Sequence, residues 1–230
     1  MRQNAEMALM RCTPDPAVRS PATVFDLRAL AAVSVRAYLR CYHRLQIRGR
    51  ENLPSSGSFI MIANHTSHLD ALCLLAALPL SRLNRAFPAA AQDYFCTGLR
   101  RLALSAFVNA IPFSRRAHIR QSLKSCRELL AAAENILIWF PEGTRSATGR
   151  LADFRPGVGS LVAGTNIPVV PCAIQGGPAA FPKGGIFPRP RSLRLVIGQA
   201  RRYRDMPPCS SAHHQIAGDL HDAVGALLCT

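Results

Sequence analysis

Lysine and acidic residues are scarce in this 230-residue chain. Lys124 and Lys183 are the only lysines, and 13 Asp+Glu face 28 Lys+Arg, for a formal charge of +15. Such an excess favours anionic partners: nucleic acid, an acidic membrane surface or phosphorylated substrates. No apolar run approaches the ~18–20 residues that span a bilayer. No charged-then-apolar leader with a cleavage site is visible either, so the expected location is the cytoplasmic side. The eight cysteines (Cys12, Cys41, Cys73, Cys96, Cys126, Cys172, Cys209 and Cys229) contain no C-x-x-C pair. Several interrupt apolar runs, as in "LCLL" and "VPCAI". They read as reduced, mostly buried thiols, with no disulfide framework and no metal site. A G-x-S-x-G elbow is missing, which excludes a common serine-hydrolase arrangement. A G-x-x-x-x-G-K-[ST] loop is missing as well, so nucleotide hydrolysis has no site. Without a helix-turn-helix, zinc-finger or aromatic-plus-basic signature, the charge does not point to nucleic acid.

What is present is globular: 49% hydrophobic and 18% charged residues. Residues 1–22 mix Arg, Pro, Thr and Ser without periodicity and read as a flexible tail. Over 23–46 the spacing predicts a helix. Val24, Leu27, Ala31, Val35, Tyr38, Tyr42 and Leu45 form an apolar stripe, and Arg28, Arg36, Arg40 and Arg44 share another face. Such a basic amphipathic helix either docks on a membrane interface or packs on the core with its arginines in solvent.

From residue 58 strand and helix alternate. "FIMIA", "RAFPAA", "FVNAIPF", "ILIWF", "IPVVPCAI" and "LRLVIG" read as strands. "SHLDALCLLAAL", "DYFCTGLRRLAL", "AHIRQSLKSCRELLAAA" and "PGVGSLVAG" read as helices, with a last helix over 211–228. The alternation predicts a single α/β domain over 47–230, a mostly parallel sheet flanked by helices, with the N-terminal helix as an extension. Trp139 reads as core or pocket wall, and Gly176-Gly177 as loop punctuation.

The seam "FIMIANHTSHLD" holds the first chemistry. On one continuous helix, His65 and Asp70 would point about 140° apart. If they act together, His65 must precede the helix, with Ser67 as N-cap and Asp70 at the third helical position. The imidazole is then a general base on a hydroxyl, and the carboxylate fixes its tautomer. Alternatively Ser67-His68-Leu69-Asp70 is a capping box and His65 a solvated turn residue. His65 with His68 lacks the further ligands a metal would need. In "ILIWFPEGTRSATGRLADF", Gly143 permits a tight turn or close substrate approach, and Arg145 offers a planar fork for phosphate or carboxylate.

Together these segments resemble the glycerolipid acyltransferase family, over roughly residues 48–200. Its N-H-x-x-x-x-D motif stands as Asn64-His65-Thr66-Ser67-His68-Leu69-Asp70, and its F-P-E-G-T-R-S motif as Phe140 to Ser146. Ile167-Pro168-Val169-Val170-Pro171 matches a third segment, "AIPFSR" ending in Arg115 a fourth, and "DFRPG" an F-[KR]-x-G element.

The resemblance implies acyl transfer from acyl-CoA or acyl carrier protein to a lysophospholipid hydroxyl, with no cofactor. His65 is then the base and Asp70 its partner. Asn64, Arg115, Glu142, Gly143, Thr144 and Arg145 line the acceptor site, the arginines pairing with its phosphate. The lipid substrate implies peripheral or monotopic attachment to an anionic membrane surface. The stretch before the "AIPFSR" segment, "FPAAAQDYFCTG", lacks the lysine that relatives making phosphatidic acid often carry there, and that segment opens Asn109-Ala110-Ile111-Pro112-Phe113 where the family favours a glycine. These departures leave the acceptor open, with lysophosphatidic acid as the default. Glycerol-3-phosphate, a non-glycerol lysolipid such as lyso-ornithine lipid, or non-catalytic lipid binding on the same fold are the alternatives.

Overall fold

A computed structural model describes residues 22–91, 111–113, 119–146, 148–182 and 184–230. The proposed tail, the "DYFCTGLRRLAL" segment and Arg115 lie outside them. Helix α1 (Ala22–Cys41) leads into strand β1 (Gln46–Arg48). Then follow β2 (Phe59–Ala63), α2 (Asp70–Ala77), β3 (Ala86–Ala91), β4 (Ile111–Phe113), α3 (Ile119–Ala131) and β5 (Ile136–Trp139). The chain ends with α4 (Gly157–Val162), β6 (Val169–Gln175), the one-turn α5 (Gly177–Ala180), β7 (Arg194–Ile197) and α6 (Ser210–Leu228).

The seven strands form one sheet in the order β1-β7-β6-β2-β5-β3-β4. Every pairing is parallel except β6 with β7. The mostly parallel α/β expectation therefore holds, with an antiparallel pair near one edge.

Parallel strands are covered on both faces, so their sequences are apolar throughout, and the pleat sorts the side chains. In β2, Phe59, Met61 and Ala63 pack with Leu39 of α1 and Cys73 and Leu74 of α2. Ile60 and Ile62 face the other way, onto Cys126 of α3, Val158 and Leu161 of α4, and Ile216 and Leu220 of α6. β5 splits likewise: Ile136 and Ile138 join the first cluster, Leu137 and Trp139 the second.

The N-terminal helix differs from its sequence reading. It stops at Cys41, short of the predicted end at residue 46, and Gln46, the last residue given to the helix, opens a strand, Gln46–Arg48, that extends the sheet beside β7. Val35 and Tyr38 of the predicted stripe pack against the core as expected, beside the fully buried Leu39, which lies just off it; Leu30 and Val33, also off the stripe, stand 64% and 49% exposed. Arg36 is not on a solvated face, since its guanidinium donates to the Leu78 carbonyl at the end of α2. Periodicity identified the helix and much of its inward side; packing against α2 added Leu39 and Arg36 to it. The thiols also divide. Cys73, Cys126 and Cys172 are buried, whereas Cys41, Cys209 and Cys229 are exposed. Among the described residues no helix is long and apolar enough to cross a membrane, and no cluster of metal-ligating side chains forms.

Candidate active site

In open α/β sheets the carboxyl ends of parallel strands form the crevice where ligands bind. β2 and β5 are direct neighbours, with Phe59 opposite Ile136 and Ile62 opposite Trp139. Their exits therefore deliver Asn64-His65 and Phe140-Pro141-Glu142 side by side.

The turn after β2 wraps around one carboxylate oxygen. Asp70 Oδ2 lies 2.9 Å from His65 Nδ1, and accepts the backbone N–H groups of Thr66 (2.7 Å) and Ser67 (2.8 Å). The helix begins at Asp70 itself, after Leu69, so Ser67 is not the N-cap. The Ser67 hydroxyl instead donates to the Phe181 carbonyl and accepts the Leu69 N–H. Asp70 nonetheless keeps the reach-back half of a capping box. The two sequence readings of this carboxylate, helix cap and histidine partner, are both realised at the same oxygen.

Asp70 is 1% exposed and His65 18% at the side chain. The imidazole is the accessible member, and Phe140 stacks on it with centroids 4.1 Å apart and planes 18° from parallel. With Nδ1–H directed at the carboxylate, Nε2 is the basic nitrogen.

The second loop locks onto the first through the main chain. The His65 N–H donates to Glu142 Oε1 at 2.7 Å, and the Ser146 N–H donates to the His65 carbonyl at 2.8 Å. Glu142 is 4% exposed, and burial pushes its carboxyl up to about 7 despite the N–H donors from His65 and Ala152. Gly143 turns the loop at φ +75, and a Cβ there would meet the Arg155 Nε at 2.9 Å. Arg145 donates to His68 Nε2. Burial, with Arg145 and His65 close by, lowers the His68 pKa and keeps that ring neutral. Thr144 is exposed beside them.

The sequence-proposed residues thus separate by position. His65 and Arg145 are partly accessible, and Thr144 is exposed. Asp70 and Glu142 sit behind them as buried supports. Asn64 is 2% exposed, and both its amide atoms are engaged: it donates to the Ile174 carbonyl at 2.9 Å and accepts the Ile174 N–H at 2.8 Å. It fastens β2 to β6, and at 2% exposure its amide is not open to an acceptor.

Besides Phe140 and His68, Gly177 and Arg155 belong to this neighbourhood and were not among the proposed site residues. Gly177, read as loop punctuation, lies so close to the turn that a Cβ would meet Thr66 Oγ1 at 2.6 Å and Ser67 Cβ at 3.0 Å. No sequence signal marks it, because the contact joins segments 110 residues apart in number. Arg155, inside the noted F-[KR]-x-G element, brings a further cation alongside Gly143.

The acyltransferase family model matches residues 44–175, and the chain belongs to that family. A 1-acyl-sn-glycerol-3-phosphate acyltransferase of Chlamydomonas reinhardtii is 30% identical over 193 residues, covering 78% of this chain and 54% of that protein. A chloroplastic enzyme of the same name from Arabidopsis thaliana is 33% identical, covering 62% and 39%. The chain thus spans about half the length or less of these relatives. The crystal structure of the 1-acyl-sn-glycerophosphate acyltransferase PlsC from Thermotoga maritima superposes with a TM-score of 0.67 at 20% identity, covering 99% of this chain and 90% of that one. The fold is shared with it.

Proposed function

We propose that the protein is an O-acyltransferase that moves a fatty acyl group from acyl-CoA or acyl carrier protein to the hydroxyl of 1-acylglycerol-3-phosphate, giving phosphatidic acid. The observation that carries this reading is the pairing of His65 Nδ1 with Asp70 Oδ2 at 2.9 Å on a partly exposed ring. The named activity of the relatives supports it.

His65 Nε2 takes the hydroxyl proton as the acceptor oxygen attacks the thioester carbonyl carbon. The C–O bond forms, the C–S bond breaks, and the departing thiolate takes the proton from the imidazolium. Asp70 holds the tautomer beforehand and stabilises the imidazolium afterwards. Phe140 fixes the ring plane. Arg145, with Arg115, is assigned to the acceptor phosphate, because a planar guanidinium matches phosphate oxygens in pairs. Because acceptor and product are lipids, the protein is assigned to peripheral or monotopic attachment at an anionic surface on the cytoplasmic side, with the exposed Leu30 and Val33 of α1 contributing.

The test is thiol release from palmitoyl-CoA with and without lysophosphatidic acid, for wild type and His65→Ala. Release should require the acceptor and fall by about 10²–10⁴ in the variant, the usual range for a positioned base. Undiminished release by His65→Ala would remove the assignment of the base.

A further inference from the structure

Ile186 and Phe187 stand 82% and 79% exposed, more than any other large apolar side chain among the described residues. They lie in the segment joining β6 to β7. These strands are antiparallel, with Gln175 opposite Arg194, so the segment leaves and re-enters the sheet at one edge. That is the edge at which β2, parallel to β6, delivers His65. β1 runs parallel to β7, with Gln46 opposite Arg194, so the turn that follows α1 emerges there too.

The segment is fastened on both sides of the apolar pair. The Gly185 N–H donates to the Pro182 carbonyl (3.0 Å) and the Arg189 N–H to the Ala180 carbonyl (2.7 Å). From α1's end, the Tyr42 hydroxyl donates to the Pro188 carbonyl (3.2 Å), and His43 Nδ1 pairs with the Arg191 carbonyl (3.2 Å). Toward the site, Phe181 lies against the His68 ring with centroids 4.8 Å apart. The backbone is held while the two apolar side chains project away from the protein.

Their rim is cationic. Arg44, Arg189 and Arg191 are exposed, and neither residues 176–193 nor residues 41–50 contain an acidic residue. Two copies of this edge set face to face would bring six arginines together with no compensating carboxylate from these segments, which opposes self-association. An anionic lipid surface satisfies both features, since phosphates pair with arginine while the acyl boundary takes isoleucine and phenylalanine.

We infer that Ile186 and Phe187 form a wedge that inserts into the interfacial layer of an anionic bilayer, with Arg44, Arg189 and Arg191 on its headgroup phosphates. The wedge holds the His65 edge of the sheet against the surface from which a lipid acceptor enters. Its purpose rests on the acyltransferase reading; its binding does not.

Phe187→Trp supplies the probe, because the native Trp139 is 7% exposed and contributes a constant buried signal. With phosphatidylglycerol-containing vesicles, the new indole emission should shift to the blue and be quenched by brominated acyl chains; pure phosphatidylcholine should give a much smaller response. The double variant Ile186→Ser/Phe187→Ser should lower partitioning by at least about tenfold and leave the melting temperature unchanged. It should also spare turnover of a monomeric short-chain acceptor while slowing turnover of the vesicle-embedded one. Unshifted emission with undiminished partitioning would overturn the wedge. So would a concentration-dependent dimer that the double variant abolishes. Failure of acyl transfer by wild type would instead count against the enzymatic reading, with the vesicle result still deciding the wedge.

Discussion

The His65 N–H and Glu142 Oε1 meet at 2.7 Å across 77 positions of chain. The two family motifs therefore close on each other through a backbone contact, and Glu142 shapes the turn that aims His65 without itself reaching the open side of the site.

A pH dependence follows. Burial raises the folded-state pKa of Glu142 from 4.5 to about 7. Folding then favours the protonated form, so its stabilising contribution is complete below about 4.5 and is lost as pH rises through about 7. Glu142→Gln retains an acceptor for the His65 N–H but cannot ionise. Melting temperatures taken from pH 4.5 to 7.5 should decline less steeply for Glu142→Gln than for wild type. Parallel curves would show that the carboxyl does not titrate there.

Asp70 tests the doubly used oxygen. Asp70→Asn still offers an acceptor to the Thr66 and Ser67 N–H groups but no longer stabilises the imidazolium. Acyl transfer should drop by 10² or more, on the order seen when a base loses its partner, with a modest loss of melting temperature. Asp70→Ala should lose the same activity and also about 2–5 kcal/mol of stability, because two buried N–H donors are stranded. Equal stability of the two variants in urea titrations would refute the capping half of this role.

Gly177→Ala places a methyl group where Thr66 Oγ1 and Ser67 Cβ now lie. The turn must move, at a cost of about 1–3 kcal/mol, and the His65 ring moves with it. Turnover should fall at least tenfold, and the loss should appear in kcat more than in KM. A fully active, fully stable variant would mean the turn yields without disturbing the site.

Asn64→Leu fills a similar volume but strands the Ile174 N–H and carbonyl between β2 and β6. A stability loss of about 2–6 kcal/mol is expected, one to three for each buried group left unpaired. If the amide served the acceptor instead, KM would rise while the unfolding midpoint stayed put.

Helix α1 carries a separate test of membrane attachment. Leu39 is fully buried in the core, so removing the whole helix would uncover the core and confound a lipid-binding readout. Leu30→Ser/Val33→Ser leaves the core intact and should weaken co-sedimentation with anionic vesicles severalfold. Unchanged binding would assign the attachment elsewhere.

Several features were decided by sequence alone. The apolar runs of β2, β5 and β6 specify strands covered on both faces, because only such strands tolerate unbroken hydrophobic sequence. The spacing of His65 and Asp70 excludes a common helical face, so a working pair requires the histidine to precede the helix. Family membership was legible in the residues from Asn64 to Asp70 and from Phe140 to Ser146.

Tertiary structure decided the rest, and the reason is contact between segments distant in number. Periodicity cannot say that Leu39, beside the stripe, is the residue that α2 and the sheet bury completely. It cannot show that Asn64 is consumed by Ile174, that Gly177 must be small because a turn 110 residues earlier lies against it, or that Ile186 and Phe187 emerge at the His65 edge. Local pattern fixes elements through backbone geometry and alternation; which side chains stay open for chemistry depends on neighbours that only the folded chain assembles.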